Sequence, residues 1–173
     1  LSLREVPNTV SVLTREQIED QKLVTMPEAL QQVTGVNVVT NDTLNSQYWA
    51  RGYGLGVMYD GVTSYNGMTP SHQFDLPLYE RIEVLRGPAG LLRGVGEPGG
   101  VVNLVKKRAK DKFGFSAAIS AGSWDNYRFD ADLTGPLNEA KTLRGRMVVS
   151  EEDRDYFYDH KKKKKWEGVR IFV

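Results

Sequence analysis

The sequence predicts an α+β domain, a small mixed sheet with short helices, followed by the opening antiparallel strands of a transmembrane β-barrel. Three observations carry this. Two helix-start signatures lie between β-branched runs within the first 40 residues. A glycine-dense knuckle joins two strands between 79 and 105. From 113 onward apolar and polar residues alternate in segments of about 10 residues separated by turns, the pattern of membrane-spanning strands.

Taken in order, Val6, Val10, Val12 and Leu13 predict a first strand after Pro7. Thr14-Arg15-Glu16-Gln17 has the spacing of a capping box, so a short helix carrying Ile18 follows. Thr25-Met26-Pro27-Glu28 is a second such start, with Leu30 and Val33 as its apolar stripe and Gly35 as its stop. Val36, Val38 and Val39 form the next strand, 41–47 reads as a polar turn, and 48–51 resumes an extended run. Asp60-Gly61 between Val57-Met58-Tyr59 and Val62 is a hairpin signal, because both residues tolerate positive φ. Residues 64–73 are a long polar loop, a length that in a compact domain points to function or disorder.

The knuckle follows. Ile82, Val84 and Leu85 predict a strand with one buried face; Val101, Val102, Leu104 and Val105 predict another. Between them stand six glycines in fourteen residues, at 87, 90, 94, 96, 99 and 100, which lets the backbone double back sharply. Gly94-Val95-Gly96-Glu97-Pro98-Gly99 spells G-x-G-x-x-G. A dinucleotide site needs a helix after those glycines, with its N-terminus on the pyrophosphate. Here Pro98 interrupts, Glu97 repels phosphate and a β-branched strand follows, so no cofactor is expected.

Beyond 113, Phe113, Phe115, Ala117, Ile119 and Ala121 alternate with small or polar residues. Tyr127, Phe129, Ala131 and Leu133 alternate with Arg128, Asp130, Asp132 and Thr134, and Met147 and Val149 with Arg144, Arg146 and Ser150. The charged side suits a wet lumen better than a second sheet.

Bulk properties limit the alternatives. Lys plus Arg is 23 against 22 Asp plus Glu, so no net field argues for nucleic acid. Zero Cys excludes disulfides and thiolate metal sites. The two histidines, His72 and His160, come without H-E-x-x-H or G-x-S-x-G, so no enzyme activity and no metal site are expected. No apolar run approaches the ~20 residues of a membrane helix, which leaves β-strands for any membrane role. The Lys106-Lys107-Arg108 cluster with Lys110 and Lys112 reads as a solvated linker.

The phrase Glu80-Arg81-Ile82-Glu83-Val84-Leu85-Arg86-Gly87-Pro88, then Leu91-Leu92 and Gly96-Glu97-Pro98-Gly99-Gly100 into Val102-Asn103-Leu104-Val105, closely resembles the plug domain of TonB-dependent outer-membrane receptors, with the siderophore branch nearest. Ala121-Gly122-Ser123-Trp124-Asp125, Leu143-Arg144-Gly145-Arg146 and Glu152-Asp153-Arg154-Asp155-Tyr156 resemble the first barrel strands of those receptors. The resemblance implies an α+β plug domain at 1–110 and first barrel strands at 111–160. It leaves 161–173, with Lys161 to Lys165, as an atypical tail that reads as a truncated or frame-shifted end.

It also implies a function: TonB-energised uptake of a ferric siderophore across the outer membrane, with iron arriving chelated rather than as a cofactor. Partners implied are the ferric siderophore, TonB (whose recognition box is expected upstream of Leu1) and outer-membrane lipid. Asn41, Asp42, Gln47 and Tyr48 match the first apical loop of the family and Tyr65, Asn66, His72 and Gln73 the second, where the ligand is touched. Arg51 and Arg86 match the arginines that pair with acidic residues on the barrel wall, outside this chain. The alternative from another class is a soluble β-rich interaction protein, since alternation alone also fits a sandwich.

Overall fold

The computed structural model describes residues 9–42, 45–63, 75–87, 98–123, 125–154 and 163–172, the last of these as backbone. The chain divides into two compact units, Leu1–Lys106 and Lys107–Val173.

The first unit begins with β1 (Thr9–Leu13), α1 (Arg15–Asp20) and α2 (Met26–Gln31). Both capping signatures are realised. Thr14 Oγ1 accepts from Gln17 N at 3.3 Å while Gln17 Oε1 accepts from Thr14 N at 3.1 Å. Glu28 takes the amides of Val24 and Thr25 at 2.8 and 3.0 Å. Each helix lays an apolar side into the core, Ile18 from one, Met26, Ala29 and Leu30 from the other. The Arg15 guanidinium ties α1 to the carbonyl of Leu76 at 3.2 Å, in a short 3₁₀ turn (Leu76–Leu78).

Then come β2 (Val36–Asp42), β3 (Asn45–Ala50), β4 (Tyr53–Gly54), β5 (Gly56–Tyr59) and β6 (Val62–Thr63). After the 3₁₀ turn, β7 (Tyr79–Arg86) and β8 (Gly100–Lys106) complete the unit. They make a mixed sheet ordered β1-β7-β8-β5-β6, in which β5 and β8 run parallel, and a separate sheet ordered β2-β3-β4. The strand after the G-x-G-x-x-G letters is β8, so the helix that a dinucleotide would require is replaced by sheet. The Asp60-Gly61 hairpin forms as expected, with φ of 50° and 85°. It is sealed onto β8: Asp60 Oδ1 accepts from Lys106 N and Asn103 Oδ1 from Gly61 N, both at 2.8 Å.

The base of the knuckle is the tightest place in the unit. Arg86 pairs with Gly100, and Gly87 N donates to Gly99 O at 3.0 Å. A Cβ on Gly99 would sit 2.5 Å from the Gly54 oxygen and 2.6 Å from that of Tyr53. One on Gly100, whose φ is 118°, would overlap the Leu85 carbonyl oxygen.

The second unit is an antiparallel meander ordered β12-β11-β10-β9. Its strands are β9 (Gly114–Gly122), β10 (Asn126–Pro136), β11 (Arg144–Arg154) and β12 (Lys163–Phe172). Its polarity is inverted relative to a water-soluble sheet. Phe115 and Ile119 are 65 and 83% exposed, while Arg128 and Arg146 are 5 and 8% exposed.

Four expectations need correction. Residues 41–47 are not a turn throughout, because the β2–β3 ladder continues through the polar residues to Asp42↔Asn45. Arg51 is not extended; it has a φ of 53° and with Gly52 forms the two-residue β3–β4 turn. The basic stretch is not simply a solvated linker, since Lys107 is buried against Asp132 at 2.6 Å and belongs to the second unit, ahead of the expected boundary at 110. The tail does not leave the sheet. β12 pairs with β11 over its whole length, and the register sets lysine positions 164 and 165 opposite acidic Asp153 and Glu152.

Gly100→Ala is expected to destabilise the chain by about 3 kcal/mol or more, from steric overlap added to positive-φ strain. Gly61→Ala, with a φ of 85° but open space around it, should cost only about 1 kcal/mol. Urea unfolding of the two variants checks the ordering; equal losses would contradict the pinch.

Candidate functional site

The residues matched to ligand contact divide between the two faces of the β2-β3-β4 sheet. Directly opposed residues of an antiparallel pair share a face. The register Asn37↔Trp49 and Val39↔Gln47 therefore makes one surface of these four residues, all exposed. Its neighbour in the sequence, Tyr48, points the other way. It packs with Val38, Ser46 and Ala50 on the buried face, and burial pushes its phenol well above the usual range. Tyr48 is thus a packing residue of β3 rather than a loop residue.

Asn41 and Asp42 lie at the end of β2, Asn41 at an irregularity in the β2–β3 register between Thr40 and Asp42, and Asp42 opposite Asn45. Tyr65, Asn66, His72 and Gln73 lie outside the described residues. Trp49, which the alternation Gln47-Tyr48-Trp49 sets on the same face as Gln47, is a further candidate beside it. Together these two offer a flat indole and a primary amide with two donors and an acceptor, a surface able to stack against and hydrogen-bond a planar or chelated ligand. Among the described residues no group of three His, Cys, Asp or Glu side chains is placed to hold a metal ion.

The two arginines converge on the knuckle. Arg51 is exposed on its turn, with Nη1 3.1 Å from where a Cβ on Gly87 would lie. Arg86, at the end of β7, reaches across the unit. Its Nη2 donates to Ser11 Oγ at 2.9 Å and its Nη1 to the Thr34 carbonyl, so one guanidinium holds β1 and the turn after α2. Its Nε is buried without an acceptor among the described residues. Two contacts of Arg86 are thus internal, to neutral oxygens, and neither is to an acidic residue.

The second unit carries charge that the sequence had only assigned to a face. Asp132 receives Arg146 through Nε at 2.8 Å and Nη2 at 2.7 Å, and Lys107 Nζ at 2.6 Å. Arg128 grips Asp130 with two bonds of 2.9 Å and donates to Ser150 Oγ at 2.6 Å; Ser150 returns a bond to Asp130 at 2.6 Å. Bidentate pairs of this kind are what makes buried charge tolerable. Lys107 was missed because nothing in a run of cations says which one is buried. The signal was on the other side, in acidic positions of β10 that needed counter-charges.

Comparison with known proteins bears on this geometry. Residues 2–101 match the family model described as the TonB-dependent receptor plug domain. The chain is 40% identical over 164 residues to the ferric-pyoverdine M114 receptor PbuA of a Pseudomonas species, covering 91% of this chain and 20% of that protein. It is 37% identical over 172 residues to the ferripyoverdine receptor of Pseudomonas aeruginosa, covering 95% of this chain and 21% of that protein. The structure of the P. aeruginosa pyoverdine outer-membrane receptor FpvA bound to pyoverdine superposes with a TM-score of 0.91 at 34% identity, over 99% of this chain and 26% of that one. The alcaligin outer-membrane receptor FauA of Bordetella pertussis gives 0.78 at 36% identity, over 90% and 28%. The chain thus spans between a fifth and a little over a quarter of these relatives.

Arg86→Ala is expected to lower the stability of the chain by about 2 kcal/mol, the loss of two hydrogen bonds to a charged group. Arg51→Ala should stay within about 0.5 kcal/mol. Chemical denaturation distinguishes them, and an unaltered midpoint for Arg86→Ala would contradict the clasp.

Proposed function

Because the chain belongs to the TonB-dependent receptor plug domain family, we propose that it supplies the plug and the opening barrel strands of an outer-membrane receptor that imports a ferric siderophore. The observation that carries this reading is the inverted polarity of β9–β11, apolar side chains bare and charges buried, in the unit that follows the plug sheet. Such a sheet is stable with hydrocarbon on one side and a wet, filled lumen on the other. A soluble interaction protein would have to leave Phe115, Ile119, Tyr127 and Phe129 in water, which disfavours it.

Ligand contact falls to the exposed face of β2–β3, with Gln47 and Trp49 at its centre. Asn41, Asp42, Tyr65, Asn66, His72 and Gln73 are the further contacts proposed from the family match. The ligand proposed is a ferric siderophore of the pyoverdine type, on the strength of what the relatives are named for. Iron is cargo here. The reaction is transport by a conformational step, with no bond made or broken in the ligand and no enzymatic activity. TonB is the energising partner, and outer-membrane lipid covers the apolar side of the strands.

Arg51 and Arg86 have a second proposed role at the plug margin, pairing with acidic residues of the barrel wall. The buried Nε of Arg86 supports it, since that nitrogen still requires an acceptor.

A receptor carrying this segment, expressed in a Gram-negative strain deleted for its own siderophore receptors, should take up radio-iron from ferric pyoverdine only while TonB is intact. Trp49→Ala should weaken siderophore binding by about tenfold, the effect of removing one aromatic contact. Uptake that persists without TonB, or no binding of any ferric siderophore by the folded receptor, would overturn the proposal.

A further inference from the structure

The segment just after β8 is held by side chains and backbone together. β8 ends at Lys106, and the next residue, Lys107, is buried in the second unit with Nζ 2.6 Å from Asp132 Oδ2. Asp132 is already engaged by Arg146 through two bonds, and the third guanidinium nitrogen, Nη1, donates to the Arg108 carbonyl at 2.9 Å. Two residues on, Lys110 N donates to Thr134 Oγ1 at 2.9 Å. Residues 107, 108 and 110 are therefore each bonded to β10 or β11, by a side-chain ammonium, a carbonyl and an amide in turn.

A flexible linker would not be built this way. Burying an ammonium, a guanidinium and a carboxylate carries a desolvation penalty of several kcal/mol per ion unless all are paired. A solvated run of lysines would leave the chain free without incurring it. Here Asp132 is shared: the Arg146 half of the cluster belongs to the sheet alone, and the Lys107 half exists only for the incoming segment. The arrangement is directional, since it grips the chain from the first residue past the plug sheet.

We propose that Lys107, Asp132 and Arg146 form a mooring that holds residues 107–110, the stretch directly after β8, onto β10 and β11. Any rearrangement of the residues before Lys107 then proceeds with 107–110 kept in place rather than as free linker. The mooring rests on the barrel reading of the second unit for its meaning in transport. Its existence as a grip on residues 107–110 does not.

The test is amide exchange on the full chain in detergent, comparing Lys107→Met with the unaltered protein. Methionine keeps the apolar stem and leaves the Asp132–Arg146 pair intact. Exchange at the Lys110 amide is expected to rise about tenfold, the scale of a lost charge-assisted contact, while Ala131 and Met147 in the sheet stay as protected as before. Thr134→Val, which removes the acceptor for that amide, should give the same local rise. Unchanged exchange at Lys110 in Lys107→Met would overturn the mooring. So would an equal rise throughout β10 and β11, which would make Lys107 a general support of the sheet. Exchange of the unaltered protein repeated without detergent bears on the barrel reading alone.

Discussion

A backbone amide facing hydrocarbon has no water to bond, and a charged side chain there has no counter-ion, so both must be satisfied inside the sheet that carries them. The second unit obeys this along its ladders and at its two main charge clusters, while Arg144 Nε and Asn126 Oδ1 are buried without a partner among the described residues. β9, β10, β11 and β12 are joined by uninterrupted antiparallel registers. The period of two then fixes which side chains form the bare apolar face, the one proposed to meet lipid. A slip of one residue would turn Arg128 and Arg146 outward, at about 2–4 kcal/mol each near the membrane midplane. The Asp132–Arg146–Lys107 and Arg128–Asp130–Ser150 clusters satisfy the inward charges and at the same time penalise that slip.

The first unit solves the opposite problem, a small core in an otherwise polar chain. Its two helices are six residues each, too short to be stable on propensity, and they depend on capping and on tertiary packing. What makes the packing close is the absence of side chains at Gly99 and Gly100, which lets β8 approach β4 and β7 at backbone distance. Arg86 then binds β1 and the turn after α2 to the same corner. The exposed face of β2–β3 is presented by this frame, so a ligand would meet residues whose backbone is already fixed.

Local signals were legible and non-local ones were not. Thr14-x-x-Gln17, Thr25-x-x-Glu28 and Asp60-Gly61 announce their structures because each is a closed set of bonds within four residues. The alternation from Phe113 announces its faces because successive side chains of a strand point to opposite sides. By contrast, the parallel pairing of β5 with β8 joins residues far apart in sequence, and no short pattern encodes it. The strand character of 41–42 and 45–47 was hidden by polar residues that a one-sided exposed sheet accommodates. Lys163–Phe172 was hidden because its lysines look prohibitive alone and become reasonable only opposite Glu152 and Asp153. In the site, the opposite faces of Gln47 and Tyr48 follow from alternation alone, whereas the internal partners of Arg86 required the fold.

The central claim, that β9–β11 carry lipid on the side bearing Phe115, Ile119 and Phe129, is open to one direct measurement. The chain has no cysteine, so single cysteines can be introduced at each position from 115 to 120 of a receptor bearing this segment. After reconstitution into bilayers they would carry an environment-sensitive fluorophore, challenged with a quencher confined to the hydrocarbon phase. The account predicts quenching at 115, 117 and 119 and none at 116, 118 and 120. Uniform quenching, or quenching absent at Ile119, would contradict it.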